Sequence, residues 1–107
     1  MTDKIVVLST CETAEQAADV ARHLVEMRLA ACVNIIPGVR SVYRWKGEIE
    51  DTAEHMLIIK SRRELFDRLR AELQKVHSYE VPEAIALPVV DGSESYLAWL
   101  DGELPLA

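Results

Sequence analysis

Two long β-like runs meeting at Lys46-Gly47 constrain this chain more than any other feature. From Ala30 to Trp45 the residues favour extended backbone, and Glu48 to Lys60 returns in the same manner. Lys46-Gly47 reads as a two-residue turn, with glycine supplying the positive φ that such turns require. Pro37-Gly38 interrupts the outgoing run as a bulge or kink, because proline cannot donate to a β-ladder. An arm of about fourteen residues reaches roughly 45 Å at about 3.3 Å per residue, whereas a compact chain of this length has a diameter of about 35 Å. The tip is therefore expected to overshoot its own domain and to bury itself against another copy. With Trp45 opposite Glu48, alternation places Tyr43, Trp45, Glu48 and Glu50 on one face of the tip and Arg44 and Ile49 on the other.

The flanking segments complete a βαββαβ order. Lys4 to Thr10 is a short β-branched strand ending at Cys11. Thr13 with Gln16 has the form of a capping box, and Ala14, Ala17, Ala18, Ala21, Leu24, Val25 and Arg28 follow at helical spacing. Ser61 with Glu64 has the form of a second box, followed by Leu65, Phe66, Leu69, Leu73 and Val76 on one helical face. Ala84 to Val90 is a fourth strand, and its Pro88 argues for an edge or bulged position. Ser93 caps a C-terminal helix bearing Tyr96, Leu97, Trp99 and Leu100, an apolar face that must cover something. Strand, helix, strand, strand, helix, strand predicts an α+β, ferredoxin-like antiparallel sheet of order 4-1-3-2. The 107 residues suffice for one core, so residues 1–107 are read as a single domain.

Charge and cysteine usage narrow the function classes. A formal net charge of −6 opposes a phosphate backbone or an anionic membrane. No nucleic-acid or membrane partner is expected. The N-terminal residues have no basic segment leading into a long apolar run, and Cys11 and Cys32 read as free thiols, which together suggest the cytoplasm. The sheet topology gathers Cys11, the start of the first helix, the hairpin tip and the loop His77 to Glu83 at one end. A thiol just before a helix N-terminus is expected to lean towards thiolate, and thiolate with imidazole suits copper or zinc. The alternative is a histidine making a local hydrogen bond beside a cysteine packed at a strand end. His23 and His55 read as structural, since neither has a ligand partner at a recognised spacing. Cys11 and His77 also have the outline of a nucleophile and base, but no third orienting residue, phosphate loop or nucleophile elbow accompanies them. No enzymatic activity is expected.

Three segments carry a family resemblance: Arg28-Leu-Ala-Ala-Cys-Val-Asn-Ile-Ile-Pro-Gly38, Ser41-Val-Tyr-Arg-Trp-Lys-Gly-Glu-Ile-Glu50, and His77-Ser-Tyr-Glu-Val-Pro-Glu83 with Tyr96-Leu-Ala-Trp-Leu100 after it. Together they resemble the CutA divalent-cation tolerance proteins over nearly the whole chain. The resemblance implies a ferredoxin-like homotrimer whose hairpins extend each sheet into the next subunit. It also implies a role in tolerance of, or response to, copper and other divalent cations, through metal binding. Ser78 replaces the proline of the family's usual His-Pro-Tyr-Glu pattern, and Val76 stands where some members carry a second histidine. Cys11, His77 and Glu80 are the candidate metal ligands, with Glu83 as another oxygen donor. The alternative is a sensor of a small molecule or anion, similar in architecture to the PII signal-transduction proteins. Its ligand would lie in an intersubunit cleft lined by Tyr43, Trp45, Glu48, Tyr79 and Glu83. Tyr43 and Trp45 also read as interface aromatics.

Overall fold

The computed structural model describes residues 1–105. Its elements are β1 (Lys4–Cys11), α1 (Ala14–Glu26), β2 (Cys32–Trp45), β3 (Glu48–Arg62), a 3₁₀ turn (Arg63–Leu65), α2 (Phe66–Val76), β4 (Ile85–Pro88) and α3 (Glu94–Glu103). The strands form one antiparallel sheet in the order β2-β3-β1-β4, which is the expected ferredoxin-like arrangement read from the other edge. Pro88 lies in the short edge strand β4, where a missing N–H is tolerated.

The hairpin follows its residues closely. Lys46 and Gly47 both take positive φ, at 50° and 85°, as a tight hairpin turn requires. Trp45 faces Glu48, Arg44 faces Ile49 and Tyr43 faces Glu50, and the register shifts between Ile36 and Val39 where Pro37-Gly38 sits. Gly38 has a φ of 74°, which accommodates the bulge. The domain measures 44 Å along its longest axis but only 24 and 21 Å across, so the hairpin projects beyond the core.

The core lies between one sheet face and the helices. Ile5, Val7 and Cys11 of β1 and Leu57 and Ile59 of β3 meet Ala17, Val20 and Leu24 of α1 and Leu69 and Leu73 of α2. Thr13 accepts the Gln16 amide at 3.0 Å, so the first helix is capped as expected. Its apolar stripe is narrower than the alanine spacing suggested: Ala14, Ala18 and Val25 are exposed, and Val20 takes their place.

The second capping box is corrected. Ser61 is a fully buried residue of β3 opposite Ile5, and its hydroxyl donates to the Leu29 carbonyl at 2.7 Å. Pairing with β1 carries the ladder on to Arg62, so the chain enters α2 through the 3₁₀ turn without a side-chain cap. Leu65, Leu69 and Leu73 still bury one face. Ser93 caps α3 by accepting the Tyr96 amide, and Leu100 is buried beneath it. Asp101 fastens the same helix to Lys4 at 2.6 Å and Arg62 at 2.8 Å, two cations that are almost fully buried.

The opposite sheet face is left uncovered over much of its area. Strand register puts Leu8, Ile36, Met56, Ile58, Ile85 and Leu87 together there, and Ile36, Ile85 and Leu87 are exposed. At the hairpin tip the other face exposes Val42 and Ile49, which are 64% and 62% accessible.

Candidate functional site

The sheet end at which β1 stops and β3 begins carries a groove of about 750 Å³. β2 contributes Ser41, Tyr43 and Trp45, β3 contributes Glu54, β1 contributes Thr10, and the segment Ser78 to Glu83 forms the facing wall. Even spacing along the hairpin explains the selection. Ser41, Tyr43, Trp45 and Glu54 lie on one sheet face because their registered partners share parity across the ladder.

Glu54 is the electrostatic centre. It is only 5% exposed, and its Oε2 accepts the Tyr79 hydroxyl at 2.6 Å. Burial, the hydrogen bond to Glu54 and the Glu54 charge push the Tyr79 phenol upward, so it remains a donor. Glu83 is pushed up by burial and by the charge of Glu54. Glu80 stands at the rim, 3.5 Å from the Lys46 ammonium, which also lies 5.5 Å from the centroid of the Trp45 ring. Among the described residues no lysine or arginine lines the groove itself.

Behind this wall lies a second, sealed constellation. The Tyr79 N–H donates to Nδ1 of His77 at 3.0 Å, so Nδ1 is the unprotonated nitrogen. Nε2 therefore carries the hydrogen, which it donates to the Thr10 carbonyl at 2.8 Å; Cys11 Sγ lies 3.5 Å from the same nitrogen. His77 thus holds the loop to β1 with both ring nitrogens engaged. Cys11 has no solvent exposure, and burial followed by the Glu54 charge pushes its thiol up to about 11. The expected lean towards thiolate is reversed, because desolvation of the anion outweighs the nearby helix terminus.

The expected ligands are accordingly separated. Cys11 and His77 are neighbours in the core, whereas Glu80 is exposed at the groove rim and paired with Lys46. An imidazole with both nitrogens already hydrogen-bonded and a protonated thiol are a poor match for copper or zinc, which take thiolate and an imidazole lone pair. Among the described residues no group of three or more His, Cys, Asp or Glu is arranged to hold a metal ion. Of the expected cleft residues, Tyr43, Trp45, Tyr79 and Glu83 do line one groove, while Glu48 lies beyond it at the tip. Glu54 escaped sequence reasoning, although a signal existed: it is a carboxylate of the same parity as Glu48 and Glu50, just before the apolar run Met56 to Ile59. His23 bridges the helices by bonding Glu72 at 2.7 Å.

Comparison with known proteins agrees with this architecture. Residues 5–103 match the family model described as CutA1 divalent ion tolerance protein. A "Divalent-cation tolerance protein CutA" of Thermus thermophilus is 46% identical over 95 residues, covering 89% of this chain and 92% of that protein. "Protein CutA, chloroplastic" of Arabidopsis thaliana is also 46% identical, over 90% of this chain, which spans about half (53%) of that longer relative. Among solved structures, CutA from Xylella fastidiosa superposes with a TM-score of 0.94 at 40% identity, covering 97% of this chain and 100% of that one. CutA1 from Oryza sativa gives a TM-score of 0.94 at 42% identity, covering 97% and 95% of the two chains. Matched along almost its full length in both sequence and structure, the chain belongs to the CutA1 divalent ion tolerance family.

Proposed function

We propose that this chain acts as a trimeric, non-enzymatic protein of the divalent-cation response, taking up a cation at the acidic groove rather than at Cys11 and His77. The observation that carries this reading is the sign of the groove: Glu54, Glu80 and Glu83 line it, and no lysine or arginine does so among the described residues. The raised position of Glu83 is what two desolvated carboxylates without a counter-ion produce, and a bound cation relieves it. Among the described residues these carboxylates do not form a three-ligand cluster, so the dication is held by one or two carboxylate oxygens and keeps several of its waters. Copper(II) falls within that range, whereas thiolate coordination is opposed by the buried, protonated state of Cys11. The same sign argues against the anion-sensing alternative.

Assembly supports the reading. Apolar sheet surface left open by the helices, together with Val42 and Ile49 at an overhanging tip, calls for burial by further copies. The two unpaired thiols support a reducing compartment, the cytoplasm. His77 donates from Nε2 and so offers no base to Cys11, in keeping with a non-enzymatic role.

Calorimetric titration of metal-free protein with Cu²⁺ and Mn²⁺, with mass followed by light scattering, tests both parts. Saturable binding that weakens in Glu54→Gln and Glu83→Gln but persists in Cys11→Ser is expected from a trimer. Binding abolished only in Cys11→Ser would overturn the site, and a monodisperse monomer would overturn the assembly.

A further inference from the structure

Aromatic side chains account for much of the groove's wall, and a hydrated dication makes little use of them. Tyr43, Trp45 and Tyr79 surround the position of Glu54, so the groove presents π-faces next to a buried carboxylate. Oε2 of Glu54 is satisfied by Tyr79, but Oε1 has no hydrogen-bond partner among the described residues. Oε1 is not sealed from solvent, and Glu54 lines the groove. A carboxylate that is 5% exposed has given up most of its hydration, and a free oxygen there calls for a donor, preferably a charged one.

The chain itself displays the matching chemistry at the rim. The Lys46 ammonium lies over Trp45, 5.5 Å from the ring centroid, and 3.5 Å from Glu80. A primary alkylammonium is thereby held between an aromatic face and a carboxylate. The interior of the groove repeats these parts, with Tyr43 and Tyr79 as walls and Glu54 and Glu83 as acids, but supplies no cation of its own.

We propose that the groove is a binding site for a primary organic ammonium ion carrying a small flat or apolar body. The ammonium donates to Oε1 of Glu54, and the body lies against Tyr43 and Trp45, where cation–π attraction adds to apolar burial. A quaternary ammonium lacks the N–H that Oε1 requires, an anion meets three carboxylates, and a neutral isostere leaves the acids uncompensated. The groove's volume of about 750 Å³ falls in the ordinary range for small-molecule sites. This inference shares with the metal reading only the negative sign of the groove, and it predicts a different selectivity.

Benzylammonium is the probe, titrated calorimetrically into the native oligomer at constant ionic strength, with benzyl alcohol and benzyltrimethylammonium as comparators. Saturable benzylammonium binding, at least tenfold tighter than either comparator and at least tenfold weaker in Glu54→Gln, is expected. Glu83→Gln provides a second variant on a loop, expected to weaken binding if Glu54→Gln fails to fold. Equal affinity for benzyl alcohol, undiminished binding in the variants, or no saturable binding to the native protein would overturn the proposal. Parallel titration with Mn²⁺ separates the two readings. Amine binding without Mn²⁺ binding supports the ammonium site and removes the metal reading, whereas Mn²⁺ binding without amine binding does the reverse.

Discussion

Removing the Tyr79 hydroxyl isolates the interaction on which the groove is built. Tyr79→Phe keeps the ring against His77, whose centroid lies 4.6 Å away, and deletes only the donor to Glu54. A hydrogen bond to a charged group contributes about 1.5–3 kcal/mol, and leaving a buried acceptor unpaired forfeits most of that. Glu54 is nearly buried but borders an open groove, where water can partly replace the hydroxyl. The expected loss is therefore about 2 kcal/mol per chain, or a fall of about 10 °C in Tm for a domain of this size. Denaturant unfolding at one fixed protein concentration measures it, because linked assembly otherwise shifts the midpoint. The control is Tyr79→Phe combined with Glu54→Met. Replacing both partners by apolar groups removes the stranded charge, so the double variant is expected to regain at least half the loss. A loss below about 0.5 kcal/mol in Tyr79→Phe, or additive losses in the double variant, would refute the view of Glu54 as a buried carboxylate dependent on Tyr79.

Other expectations test different parts of the molecule. Iodoacetamide at pH 8 is expected to modify Cys32 and spare Cys11 in folded protein, because Cys11 is enclosed and its thiol is raised to about 11; modification of both thiols at equal rates would contradict this. Stability is expected to fall as pH rises from the ordinary glutamate value of 4.5 through the raised value of Glu83, since its folded pKa lies above the unfolded one. Glu54, Tyr79, Thr10, Tyr43 and Trp45 face this groove too, so the comparison of interest is with Glu83→Gln, in which that segment of the pH profile should flatten. Asp101 behaves oppositely: Lys4 holds its carboxyl below 3.8, so its contribution is present above that value and lost as pH falls through the depressed one. Asp101→Asn should remove this acid transition, followed through the environment of Trp99 on α3. Val42→Asp should weaken assembly in light scattering without lowering secondary structure, because Val42 is 64% exposed in the single chain and has no packing to lose there.

Much of the fold was legible because its signals are local and periodic. Lys46-Gly47 and Pro37-Gly38 carry backbone requirements that read directly as a turn and a bulge. Thr13 and Ser93 were recognisable as caps because a capping hydroxyl acts on an amide three residues away. Ser61 offered the same pattern and misled. Whether its hydroxyl caps a helix or meets Leu29 depends on how far β1 extends the ladder, which is a non-local matter. Strand parity placed Tyr43 and Trp45 on one face, and topology brought the Ser78 to Glu83 loop to the same end.

Chemistry at that end was a different kind of question. Cys11 and His77 were identified as neighbours from their positions at one sheet end, yet their protonation states depend on burial and on the Tyr79 amide, which residue types do not encode. Glu54 became visible as the centre only when its burial and the Tyr79 hydroxyl were seen together. The sequence by itself determined the hairpin, the element order and which residues share a face, since these follow from backbone preference and a period of two. Tertiary structure alone decided which acids are desolvated and which side chains retain a free donor or acceptor, because solvation depends on everything that surrounds an atom.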